Sequence, residues 1–253
     1  MRVDPTSYDD ASERVLDWVR SDTPAYVCVS TVHMVMEAYD EPSYQRAVNR
    51  ANLVTPDGVP LVWCLRMLGN SAASRVYGPD LTPRLLEEAA AHLIPVGFYG
   101  GAPAVVDKLV ATVKRDFPGV EVAYAESPPF RPLSPEEDEA VVRRIRESGA
   151  RILFVGLGCP KQERWMASHC HRLNTVMLGV GAAFDFLTGA KPQAPRWMMR
   201  AGLEWLFRLV TEPRRLWLRY LKHNPRFVLL FAMQMAGWGR DSGGANTDAS
   251  VRA

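Results

Sequence analysis

Apolar positions along the chain follow two rhythms. Short, mainly apolar runs, rich in β-branched residues, fall at Tyr26–Ser30, Asn52–Thr55, Pro95–Tyr99, Val120–Ala125, Ile152–Gly156 and Thr175–Val180. Runs this short without polar alternation predict strands buried on both faces. Between them, apolar residues recur every third or fourth position over Met34–Asn52, Pro60–Leu68, Pro83–His92, Ala104–Phe117, Pro135–Ser148 and Lys161–Leu173. That spacing predicts helices with one buried face. Ser134-Pro135-Glu136-Glu137 sets Ser as N-cap, Pro at the first helical position and Glu at the third, which is a capping box. Strand followed by helix, repeated along the chain, predicts an α/β fold: a parallel sheet with helices on both faces. Residues 1–24 add a lead-in and one helix, and no internal repeat of fixed period is present.

Beyond about residue 190 the pattern changes. Pro192, Pro195, Pro213 and Pro225 punctuate helical stretches that are basic and aromatic. From Arg196 to Arg226 there are eight basic and two acidic residues, a net +6, against 22 basic and 26 acidic elsewhere. Four of the seven tryptophans, Trp197, Trp205, Trp217 and Trp238, lie after residue 196. At 100° per residue, Arg215, Arg219, Lys222 and Arg226 fall within roughly 60° of arc. Trp217, Leu218, Tyr220 and Leu221 take the other faces. A basic face beside such residues reads as a membrane-surface helix or an anion-binding wall. The expected organisation is an α/β catalytic domain over 1–195, a basic aromatic helical appendage over 196–238 and a disordered polar tail over 239–253.

Composition narrows the class. With 253 residues, 47% hydrophobic and 23% charged, the chain is globular and not disordered. A net charge of +2 carries no nucleic-acid signal, and no nucleic-acid partner is expected. Cys28, Cys64, Cys159 and Cys170 form no CxxC pair and no metal-ligand spacing, so they read as reduced thiols, Cys28 in the core. The N-terminus lacks an apolar signal region. The longest apolar stretch, Phe227–Trp238, is 12 residues and too short to span a bilayer. The expectation is a cytoplasmic protein.

Several segments carry candidate chemistry. In LVTPDGVPLVW a strand runs into Asp57-Gly58 at the carboxyl end of a parallel sheet, where such folds bind ligands. Asp57 is there either a general base or the cap of the next helix. Arg75 in RVYGPD suits a phosphate or carboxylate, and Asp80 suits a helix cap; a loose surface turn is the alternative. The FYGG turn at Gly100 and Gly101 has the shape of a phosphate cradle, or is simply a tight turn. In ILFVGLGCPKQERW, Gly156 and Gly158 permit close backbone approach to a ligand. Lys161 and Gln162 are expected to reach the same rim as Asp57. Small residues around Phe184 and Asp185 suggest packing beneath the site. No D-x-D pair, His or Cys cluster, G-x-S-x-G elbow or Walker A is present, which disfavours a metal or serine-nucleophile mechanism.

Taken in order and spacing, TPDGVPLVW, RVYGPDL, FYGG, GLGCPKQE, GVGAAFDFLTG and EWLFRLVTEPRRLWLRYL resemble the WecG/TagA/CpsF-type glycosyltransferases, glycosyltransferase family 26, over residues 25–235. The resemblance implies a bacterial inverting enzyme of Rossmann-like α/β fold, free of cofactor and metal. Such an enzyme passes N-acetylmannosamine, or a related sugar or uronic acid, from UDP to a sugar on a polyprenyl-diphosphate lipid, for teichoic acid, common antigen or exopolysaccharide. It also implies peripheral attachment to the inner face of the cell membrane through the C-terminal appendage. By motif, Asp57 takes the place of the base, with Arg75, Gln162, Arg208 and Arg215 as substrate-binding residues. A third appendage arginine falls at Leu218, beside Arg219. The family's Thr-x-Asn is replaced by Val29-Ser30-Thr31, so Ser30 or Thr31 stands in. A nucleotide-dependent oxidoreductase or methyltransferase and a non-enzymatic membrane-binding protein are the rival readings, and a homo-oligomer stays open.

Overall fold

The computed structural model describes residues 1–237, the side chains of Arg200 and Arg215 excepted. Trp238 and the expected tail at 239–253 lie outside the described residues.

Six strands form one parallel sheet: β1 (Ala25–Ser30), β2 (Leu53–Pro56), β3 (Val96–Gly100), β4 (Val122–Glu126), β5 (Ile152–Gly156) and β6 (Val176–Gly179), in the order β2-β1-β6-β5-β3-β4. Each coincides with one of the apolar runs. Side chains alternate between faces along a strand, and two separate cores result. Val27, Phe154 and Leu178 point into one, while Tyr26, Cys28, Leu153, Val155 and Met177 point into the other. A sheet covered on both faces requires strands with no polar side, hence the apolar runs; the edge strand β4, only partly buried and ending in Glu126, departs from this.

The helices are α1 (Tyr8–Arg20), α2 (Val32–Asp40), α3 (Pro42–Asn49), α4 (Val59–Met67), α5 (Gly78–Ala91), α6 (Pro103–Asp116), α7 (Pro135–Ser148), α8 (Lys161–His169), α9 (Ala183–Leu187), α10 (Arg196–Arg200), α11 (Glu204–Thr211) and α12 (Pro213–Met235). The Ser134–Glu137 capping box forms as expected. Two expectations are corrected. The single helix over Met34–Asn52 is two, because Pro42 drives Glu41 out of the α region to φ −130°, ψ 103°. The helix expected from Pro83 starts at Gly78 with Tyr77 as N-cap. Asp80 therefore lies in its first turn, where its carboxylate accepts from the Tyr8 hydroxyl, and it is no cap.

The packing beneath the sheet's carboxyl edge is tight. A Cβ on Gly156 would stand 2.6 Å from the Phe184 ring, and Phe184 is itself pinned edge-on against Phe98. Gly156→Ala should cost about 1–3 kcal/mol by overpacking, measured as a lower urea midpoint at unchanged m-value. An unchanged midpoint would show that Phe184 has room to retreat.

Among the described residues, neither core includes one after Leu187. The C-terminal helices lie outside both, with α12 packed on α2 and α11. Its buried contacts include Leu216 and His223. Many large apolar side chains there stay exposed, among them Trp197, Val210, Leu218 and Leu221. No helix among the described residues is long and apolar enough to cross a membrane.

Candidate active site

β1 and β2 end level, with Ser30 paired to Pro56, so the residues that follow meet at the sheet's carboxyl edge. The Asp57 amide donates to the Ser30 carbonyl at 2.9 Å. Gly58, not Asp57, is the N-cap of α4, and no side chain caps that helix. The Asp57 carboxylate is free of that structural duty and turns to Arg75.

Arg75 holds Asp57 twice, through Nε to its carbonyl and through Nη2, 3.3 Å from Oδ1. The same Nη2 lies 2.6 Å from Glu204 Oε2, and the guanidinium sits 4.2 Å over the Tyr77 ring. Glu204 opens α11. One turn later Arg208 returns to the same carboxylate, 2.6 Å from Oε1. Arg208 also donates to the Tyr77 hydroxyl at 2.8 Å and lies over Phe186. Glu204 thus bridges an arginine of the α/β body and one of the C-terminal helices.

Asp57, Arg75, Glu204 and Arg208 line a cavity of about 280 Å³ walled also by Thr31, His33, Gly58, Trp205, Arg219 and His223 among others. Burial pushes the Asp57 carboxyl up to about 6. Arg75 and Arg208 pull it down, and Glu204 adds an upward push of like charge. A carboxyl so placed changes protonation near neutrality and can act as a general base. The Arg208 guanidinium is held more firmly protonated than usual by Tyr77, Glu204 and Asp57 against the penalty of burial. Its Nε is buried with no hydrogen-bond partner among the described residues.

The other residues singled out in the sequence divide. Thr31 lines the cavity and also caps α2. Ser30 is fully buried, its hydroxyl without a partner among the described residues. Arg219 lines the cavity, while the Arg215 side chain lies outside the described ones. Gly100, Gly101, Gly156, Gly158, Lys161 and Gln162 do not line it. Gly100 adopts φ +116°, and a Cβ there would meet the Gly156 carbonyl carbon at 2.6 Å, so these two glycines let adjacent strand ends touch. Gln162 was expected at Asp57's rim. It is instead buried against Gly179, accepting from the Gly158 amide at 3.1 Å and donating to Glu163 at 2.7 Å. Glu163 is fully buried, also accepts from the Tyr44 hydroxyl at 3.0 Å, and is pushed up by burial. Lys161 is exposed at the start of α8.

Sequence reasoning missed Glu204 and Tyr77 as members of the site. The only signal for Glu204 was its place four residues before Arg208 on a helix, an ordinary surface pairing. It also missed that His33, Glu37 and His223 gather at one point, because the two histidines are far apart in the chain.

Comparison with known proteins adds a family. Residues 1–240 match the model described as the Glycosyl transferase WecG/TagA/CpsF family. The chain is similar to the N-acetylglucosaminyldiphosphoundecaprenol N-acetyl-beta-D-mannosaminyltransferase of Bacillus spizizenii, 33% identical over 206 residues, covering 81% of this chain and 77% of the relative. It is also similar to the protein so named in Bacillus subtilis strain 168, 29% identical over 205 residues, 79% of this chain and 77% of that one.

Proposed function

The chain belongs to the WecG/TagA/CpsF family of glycosyltransferases, and from that premise we propose that it moves N-acetylmannosamine, or a closely related sugar, from a UDP-sugar to a sugar carried on a polyprenyl diphosphate, with inversion and without a metal in the chemical step. The relatives' names point to the lipid-linked acceptor. The observation that carries the reading is the largely covered Asp57 carboxylate, held by Arg75 at the edge of a cavity that Arg75, Arg208 and Arg219 wall.

Inversion is a single in-line displacement. It needs one base on the attacking hydroxyl and one stabilised leaving group. Asp57 takes the acceptor hydroxyl's proton as that oxygen bonds to the anomeric carbon. The glycosidic carbon–oxygen bond breaks on the far side, and the electron pair leaves on the UDP diphosphate. Arg75, Arg208 and Arg219 supply positive charge where that diphosphate charge grows. The diphosphate competes with Glu204 for Arg75 and Arg208, so donor binding frees Glu204 from its bridge.

We place residues 1–195 as the catalytic body and the helices from Arg196 onward as an appendage that closes it. The exposed tryptophans and leucines of that appendage, beside its cations, suit the cytoplasmic membrane surface on which the acceptor resides. Calorimetry with a panel of UDP-sugars and no added metal tests the reading on the wild type and on Arg208→Ala. One UDP-sugar should bind, and Arg208→Ala should weaken it by about 1.5–3 kcal/mol, the range for a lost hydrogen bond to a charged group. Failure of every UDP-sugar and of UDP itself would overturn it.

A further inference from the structure

Beside the arginines, His33 and His223 of the cavity wall meet Glu37 behind it in a second cluster that the transfer chemistry does not use. His33 lies in the first turn of α2, Glu37 one turn further on, and His223 on α12. Nε2 of His33 is 3.4 Å from Glu37 Oε1, and Nε2 of His223 is 3.7 Å from the same oxygen. The two rings meet edge-on at 5.2 Å. One ligand atom from each of the three residues falls within 4.8 Å of the others. His223 is only 4% exposed, and its Nδ1 is buried without a hydrogen-bond partner among the described residues. A separation of 3.4 or 3.7 Å is long for a hydrogen bond. It is close to the edge, about 3.4 Å, of a tetrahedron with metal–ligand bonds of ~2.0–2.1 Å. Two imidazoles and one carboxylate are a donor set for Zn2+ or a similar first-row divalent ion, and a poor one for Mg2+ or Ca2+.

We propose that His33, Glu37 and His223 form a divalent transition-metal site, best matched to Zn2+, that staples α12 to α2 across the cavity. The ligands come from both sides of one seam: α2 belongs to the α/β body and α12 to the C-terminal helices. The ion therefore binds only when the appendage is docked, and binding holds it docked. Three protein ligands leave a fourth position for water or an anion. The charges of Arg219 and Lys222 act on the same rings. They oppose the bare cation and favour an anionic fourth ligand drawn from the cavity. This staple is separate from the displacement step, in which Asp57 and the arginines act without it.

The test uses the full-length protein freed of metal by chelation and titrated with zinc chloride in a calorimeter. One Zn2+ per chain is expected. His33→Ala and His223→Ala should each weaken it at least about tenfold. Glu37→Gln, which preserves shape where a histidine deletion risks misfolding, should do the same. Asp57→Asn should leave it unchanged. Co2+ in place of Zn2+ should give ligand-field absorption without a thiolate charge-transfer band. Limited trypsin cleavage within α12 should slow about tenfold at Zn2+ ten times its Kd, in the wild type and not in Glu37→Gln. The proposal is overturned by no stoichiometric binding, by equal binding in His223→Ala and Glu37→Gln, or by a thiolate band that puts the ion on a cysteine. Zn2+ binding that leaves α12 cleavage unaltered would overturn the staple.

Discussion

Asp57→Asn should lower kcat by roughly 10²–10⁴-fold, the usual contribution of a general base, with UDP-sugar affinity little changed. The asparagine keeps the side chain's shape and its backbone anchor on the Ser30 carbonyl, so the loss reports proton transfer and not collapse of the cavity. In the wild type, kcat/KM should rise with pH through an acid limb near 6, because Asp57 must be ionised and burial holds it up to about that value. Glu204→Gln removes the like charge beside it. The limb should then move to lower pH, while donor binding changes through the freed arginines. Stability follows with its own sign. The folded pKa lies above the ordinary 3.8, so the folded state binds the extra proton and wild-type stability falls as pH rises from about 4 through 6. Relative to wild type, Asp57→Asn should gain stability across that window, by at most about 3 kcal/mol. A flat pH profile, or kcat within a few-fold of wild type, would remove Asp57 from the role of base.

Removal of residues 196–253 should abolish transfer, with a loss of at least about 10³-fold, while the remaining body still melts cooperatively. Both core clusters lie wholly before that point, so the sheet and its covering helices keep their apolar burial. The cavity does not survive: Glu204, Trp205, Arg208, Arg219 and His223 all leave its wall. One stabilising donor lost in a buried site is worth about 10²–10³-fold, and here two arginines go together. Asp57, no longer shielded by α11 and α12, should return toward ordinary carboxylate behaviour. Arg208→Ala in the full chain isolates part of the effect, with about 10²-fold expected in kcat. Full activity in the truncated protein would show that the body alone assembles the site.

Much of this was legible along the chain because it is local. The strands are short, mainly apolar runs, the α7 capping box is four adjacent residues, and Asp57 follows a strand end whose position can be counted. The break at Pro42 was also local, and was lost beneath an apolar period that continues across it. The placement of Gln162 was not local. Its sequence neighbours are those of a ligand-binding turn, yet the side chain is spent against Gly179 and on the buried Glu163. Which neighbour a polar side chain meets depends on adjacent strands that are distant in sequence.

By itself the sequence determined the α/β class, the strand positions, the family and the carboxylate at the edge of the sheet, since periodicity, capping and motif spacing are properties of neighbouring residues. Only the tertiary structure decided that Glu204 ties Arg75 to Arg208, that Asp57 is buried enough to titrate near 6, and that His33 and His223 converge on Glu37. Each of those depends on folding the C-terminal helices back over the carboxyl ends of β1 and β2. Burial and charge proximity are set by that distance through space, which the order of residues along the chain does not contain.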